Sequence, residues 1–143
     1  MVATRPRLPG GEPFPTTFYL TCPRATVACS TLESQGEMGR MSRRLAEDPA
    51  LAAAYGAAHE AYVAARAAIG RATGDGEVPE IDRVSAGGMP DRVKCLHALA
   101  GHALAAGPGV NPLGDETLAL IGPWWERPCL GDQVGRRGEA SEE

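Results

Sequence analysis

The chain has 143 residues, a net charge of −4 with histidine neutral, and 43% hydrophobic residues, a large share of them alanine. That length fits one domain. No apolar run approaches the roughly 20 residues of a membrane-spanning helix, which excludes an integral membrane protein. The acidic balance argues against a nucleic-acid binder that works by neutralising phosphates. The opening stretch MVATRPRLPGGEPFP lacks the apolar core of a cleaved secretory signal, so the expected location is the cytoplasm. With 24 Ala, 12 Leu, 8 Val, 3 Ile and 7 aromatic residues, a core can close but will be thin for the length. Arginine outnumbers lysine 13 to 1, the one lysine being Lys94.

In chain order, residues 1–16 are rich in Pro and Gly and read as an extended arm. The arm leads into a candidate short strand at 17–21. Proline is favoured at the first helical position, so Cys22-Pro23 opens a helix that runs to about Gln35 and stops at Gly36. A second helix carries Met38, Met41 and Leu45 on one apolar stripe. Asp48-Pro49, an N-cap followed by an N1 proline, starts a helix to about Ala72. Leu51, Tyr55, His59, Tyr62 and Ile69 share one of its faces. Residues 73–89 form a Gly/Pro-rich loop with a candidate strand at 81–85. A helix apolar on every side follows from Pro90 to about 106 and belongs at the centre of the fold. A last helix runs from about Asp115, as its cap, to Ile121. The expectation is a mainly α, single small domain over 17–130, with about five helices and a charged, disordered tail at 131–143.

Four cysteines stand at 22, 29, 95 and 129. Disulfides are unexpected in a cytoplasmic chain. Cys29, amid Val27, Ala28 and Leu32, reads as a buried core residue. Cys22 falls at a helix N-terminus, where the dipole favours a thiolate. Cys129 sits in a turn after Pro128, and Cys95 lies close to His97 and His102. Cys-Pro is also a common flank of iron–sulfur ligands. On an ideal helix Cys95 and His102 are within about 20° of one face and about 10.5 Å apart along the axis. That separation strains a single zinc ion and suits a wider iron–sulfur cluster better. His97 points roughly opposite to Cys95 unless the first turn is distorted. The expected ligand set is therefore Cys22, Cys95, Cys129 and His102, with His97 in reserve, for a zinc ion or an iron–sulfur cluster. In a thin core, such a site would add its binding energy to folding. His59-Glu60 resembles half of a zincin motif, but Val63 stands where the second histidine belongs, so that reading is rejected.

A second feature is Ser85-Ala86-Gly87-Gly88-Met89-Pro90-Asp91-Arg92-Val93-Lys94, a Gly-pair loop entering the expected helix. Backbone N–H groups there, with Arg92, Lys94 and Arg83, would hold a small anionic ligand such as a phosphate or carboxylate. The Walker spacing is missing.

Three stretches carry a family resemblance: Tyr19-Leu20-Thr21-Cys22-Pro23, Gly87 through His97, and Gly109-Val110-Asn111-Pro112-Leu113-Gly114-Asp115. Together with Trp124-Trp125 and Cys129 they resemble the actinobacterial proteins catalogued as domain of unknown function 501, over about residues 1–130. The resemblance implies a cytoplasmic single-domain protein. It also implies a gene neighbourhood shared with enolase, a septum-formation initiator and an exopolyphosphatase, which points to cell division or phosphate metabolism. It brings no assigned chemistry. Three functions stay open: a metal- or iron–sulfur-binding protein; a small enzyme taking an anionic ligand at Gly87, Gly88, Arg92 and Lys94; and an interaction protein with a division-related partner, anchored by Trp124 and Trp125. Neither a nucleic acid nor a membrane is an expected partner.

Overall fold

The computed structural model of the chain describes residues 1–127. Its architecture is mainly helical, with five α-helices in one small domain. They are α1 (Pro23–Ser34), α2 (Glu37–Glu47), α3 (Pro49–Thr73), α4 (Leu96–Ala106) and α5 (Pro112–Ile121). Strands β1 (Val2–Ala3) and β2 (Phe18–Tyr19) pair antiparallel, Val2 opposite Tyr19 and Ala3 opposite Phe18. Short 3-10 turns lie at Pro79–Ile81 and Trp124–Glu126.

The helix starts follow from local chemistry. Proline occupies the first turn of α1, α3 and α5, where its missing N–H costs nothing. Asp48 Oδ1 accepts the N–H groups of Ala50 and Leu51 at 3.0 Å each, satisfying two donors that α3 leaves orphaned. Gly36, at φ 85°, takes the left-handed conformation that separates α1 from α2.

The central helix is α4. Seven of its residues, Leu96 and Ala98 through Ala103, are buried, and it packs on α5, α1 and β2. Around it sit Phe18, Met41, Tyr55, Tyr62 and Leu113. α3 contributes a stripe of Tyr55, Ala58, His59, Tyr62, Arg66 and Gly70, all buried. The close approach of α5 to α4 depends on Gly114, whose Cα faces the Leu99 carbonyl and the Ala103 methyl. Among the described residues, no helix is long and apolar enough to cross a membrane.

Three local expectations differ from the structure. The helix expected from Pro90 starts at Leu96, because the preceding N–H groups have other partners. Arg92 donates to the Gly88 carbonyl and Lys94 to the Gly87 carbonyl, while Val93 donates to Ser42 Oγ across the core. Residues 81–85 form no strand. Pro79 opens a 3-10 turn instead, and Val84 donates back to the Ile81 carbonyl. α5 starts at Pro112 with Asn111 as cap: Asn111 Oδ1 accepts the Gly114 N–H at 2.9 Å, and Asp115 falls inside the first turn. The arm at 1–16 is held to the domain by the β1–β2 ladder and by Arg5–Asp75 and Arg7–Glu80 ion pairs. Cys129 and the tail at 131–143 lie outside the described residues.

Candidate metal centre

Residue 95 marks where the chain turns into α4. Cys95 has extended backbone, φ −156° and ψ 110°, and acts as the N-cap rather than as a helical residue. The ideal-helix projection therefore fails for it. The Cys95 side chain swings back over the first turn, and its Sγ lies 3.9 Å from His97 Nδ1. His97, expected to point away, is the histidine that meets Cys95.

A third group comes from α1. Glu33 Oε1 accepts the Leu96 N–H at 2.7 Å and faces His97 Nδ1 at 3.0 Å. It supplies the cap that the Cys95 side chain does not, and it puts a carboxylate at the positive end of the α4 dipole. The ligating atoms of Glu33, Cys95 and His97 all lie within 4.8 Å of one another, and all three residues are half-buried. Among the described residues this is the group of three whose spacing suits a metal ion. Donors at about 2.0–2.3 Å around a tetrahedral ion sit roughly 3.3–3.8 Å apart. The imidazole stands 3.0 Å from the carboxylate and 3.9 Å from the thiol, on either side of that range, and no separation in the group exceeds 4.8 Å.

The far side of the imidazole is also arranged. His97 Nε2 lies 3.0 Å from the Thr26 carbonyl and 3.3 Å from Ser30 Oγ. A backbone carbonyl only accepts, so the Nε2 proton is fixed there and Nδ1 turns toward Glu33 and Cys95. A carbonyl on the second ring nitrogen is the usual support of a metal-bound histidine. Both Cys95 and Glu33 stand on the Nδ1 side. A Cys–His–carboxylate relay needs the thiol and the carboxylate on opposite ring nitrogens, so this is not a nucleophile triad. The Cys95 thiol is pushed up by burial; the Ala98 amide opposes that push and the Glu33 charge adds to it. Cys29, fully buried on the inner face of α1, is pushed up to about 11, first by burial and then by Glu33 and Cys95.

The remaining expected ligands stand elsewhere. Cys22 is half-buried at the start of α1, where its carbonyl accepts the Thr26 N–H, and it is not part of the Glu33 group. His102 is 1% exposed and belongs to the core. It stacks on Phe18 at 5.9 Å, meets Tyr62 edge-on at 5.0 Å, and its Nδ1 lies 3.1 Å from Asn111 Nδ2. Burial pushes its pKa down to about 4, against a weaker pull from Asp115.

In the Gly-pair loop, Gly87 and Gly88 have φ 69° and 92°, and their carbonyls are taken by Lys94 and Arg92. A side chain at Gly88 would strike the Arg92 carbonyl, so the loop closes on itself. Arg83, Arg92 and Lys94 are exposed. The helix start that was to hold an anion lies at Leu96, and Glu33 occupies it.

Glu33 was missed in the sequence because it sits 63 residues from the amide it caps, in a different helix. The available signal was faint: an acidic residue four positions after Cys29, on the same face of α1.

Residues 1–119 match the family model described as protein of unknown function (DUF501). The chain belongs to that family. The matched span includes Glu33, Cys95 and His97 and stops short of Trp124, Trp125 and Cys129. No curated protein and no solved structure matches the chain.

Proposed function

We propose that this DUF501 protein binds a divalent transition-metal ion through Glu33, Cys95 and His97. The observation that carries the reading is the meeting of a thiol, an imidazole and a carboxylate within 4.8 Å, with the imidazole already held by a carbonyl on its other nitrogen. One sulfur, one nitrogen and one oxygen donor form a set that suits zinc. Iron–sulfur clusters draw mainly on several thiolates, and among the described residues a single cysteine joins the group. Three protein ligands leave a coordination position for water or substrate, the pattern of working rather than purely structural zinc sites. Partial exposure of all three residues gives the ion a way in. The cytoplasm, a reducing compartment, would keep Cys29 and Cys95 as thiols.

Cobalt(II) titration of the full chain tests the reading, because a thiolate ligand gives cobalt an intense near-ultraviolet band. The expected result is one equivalent of cobalt, displaced by zinc, with the band lost in Cys95→Ser and binding weakened at least tenfold in His97→Gln. Cobalt binding without the thiolate band, or unaltered by Cys95→Ser, would overturn it. A brown protein after anaerobic purification would decide for a cluster instead.

A further inference from the structure

Arg66 lies in the apolar stripe of α3, one turn after Tyr62, and is 3% exposed. Arg5, Arg7, Arg40 and Arg44, all nearer the surface, each hold a carboxylate. The buried arginine does not: among the described residues no carboxylate oxygen lies within 4.0 Å of it. Its Nη1 donates to the Pro15 carbonyl at 2.9 Å and its Nη2 to the Ile81 carbonyl. A guanidinium has five N–H donors, so two carbonyls leave donors over and leave the charge without a carboxylate in contact. Buried charges are ordinarily paired.

The same side chain forms part of the wall of a cavity of about 260 Å³ between α3, the arm and residues 76–82. Val63, Ala67 and Val78 give that cavity apolar walls, and Arg71 adds a second guanidinium. Glu77 and Asp82 also border it, but both are exposed, where water screens their charge. Asp82 favours the charged form of Arg66 from beyond contact distance, a pull smaller than the opposing push of burial. The volume is at the small end of ligand sites, and apolar walls with one fixed polar anchor are their usual make-up.

We infer that this cavity binds a small molecule with an oxyanion, carboxylate or phosphate, on a compact apolar body, with the oxyanion on Arg66 and the body against Val63 and Ala67. The planar fork of a guanidinium matches either oxyanion in two parallel hydrogen bonds. The site shares no residue with the metal centre and does not rest on that reading.

Nitrogen–proton correlation spectra of the full chain, at constant ionic strength, test the inference. Benzoate, inorganic phosphate and phenyl phosphate are the probes, with chloride and neutral benzyl alcohol as controls. Saturable shifts of the Gly76–Val78 amides with benzoate or phenyl phosphate are expected, and whichever binds tighter identifies the headgroup. Inorganic phosphate should bind at least tenfold more weakly than phenyl phosphate, because it leaves the apolar walls uncovered. Ala67→Leu fills the cavity and keeps both arginines, and should abolish the shifts while preserving the spectrum of a folded chain. Arg66→Lys, which keeps the charge but loses the fork, should weaken benzoate at least tenfold. No saturable shift with either organic anion, an equal response to benzyl alcohol, or full binding by Ala67→Leu would each overturn the assignment.

Discussion

Asn111 Nδ2 donates to His102 Nδ1 across 3.1 Å, and that bond fixes the state of the buried imidazole. Asn111 Oδ1 is already committed to the Gly114 N–H, so its amide hydrogens face the ring and Nδ1 is an acceptor. The ring proton therefore resides on Nε2, which has no hydrogen-bond partner among the described residues. Protonating Nδ1 would break the bond and bury a charge. With a folded pKa of about 4 against an ordinary 6.5, the unfolded chain takes up the proton first. The stabilisation from keeping His102 neutral is complete above pH 6.5 and is lost as the pH falls through 6.5 toward 4, by roughly 3 kcal/mol. Urea midpoints measured across this window should fall more steeply in the wild type than in His102→Gln. Parallel slopes would show that His102 is not the group responsible.

The Glu33 carboxylate has two tasks that substitution separates. Glu33→Gln keeps an oxygen for the Leu96 N–H but loses the charge, and should cost less than about 0.5 kcal/mol while weakening metal binding. Glu33→Ala removes the cap as well, and should cost a further 1–2 kcal/mol or so by thermal unfolding. Equal losses in both variants would mean that charge, not capping, is what Glu33 contributes to stability.

Two helical glycines should respond in opposite directions to alanine. At Gly114 a methyl would meet the Leu99 carbonyl and the Ala103 methyl, forcing α5 away from α4. A loss of about 1–3 kcal/mol is expected from such overpacking. At Gly56, in the middle of α3, a methyl meets nothing within 4 Å. Gly56→Ala should raise stability by about 0.5–1 kcal/mol, because alanine loses less backbone freedom in a helix. Calorimetry of the two variants checks both signs.

Tyr62 does more than fill space. Its hydroxyl accepts the Thr17 N–H at 2.6 Å, and Thr17 is completely buried. Tyr62→Phe preserves the ring contacts with Phe18 and His102 and leaves that amide without an acceptor. The expected cost is about 1–3 kcal/mol, with faster hydrogen exchange at Thr17 as the local sign.

The helices were legible where local chemistry set them. Asp48-Pro49, Cys22-Pro23 and the Met38, Met41, Leu45 stripe each carried a start or a face, and the helices stand there. Pro90 carried the same kind of signal and misled. What decides 90–95 is a set of distant partners, Ser42 on α2 and the Tyr55 hydroxyl on α3, which bonds the Arg92 carbonyl. The candidate site was half legible for the same reason. Cys95 and His97 announce themselves by type, but which histidine meets the thiol depends on Cys95 being extended, and Glu33 arrives from another helix. Arg66 passed unremarked in the sequence, because an arginine four residues after Tyr62 on an alanine-rich helix reads as a solvated charge until the fold buries it.

The arm of residues 1–16 holds the Arg66 guanidinium through the Pro15 carbonyl and walls the cavity with Pro6. Occupancy of that cavity and docking of the arm are therefore one coupled equilibrium. A ligand whose binding needs the arm in place would tighten the arm, and anything that peels the arm away would loosen that ligand by the same factor. A partner seizing the first residues of the chain would in effect control what the interior can hold.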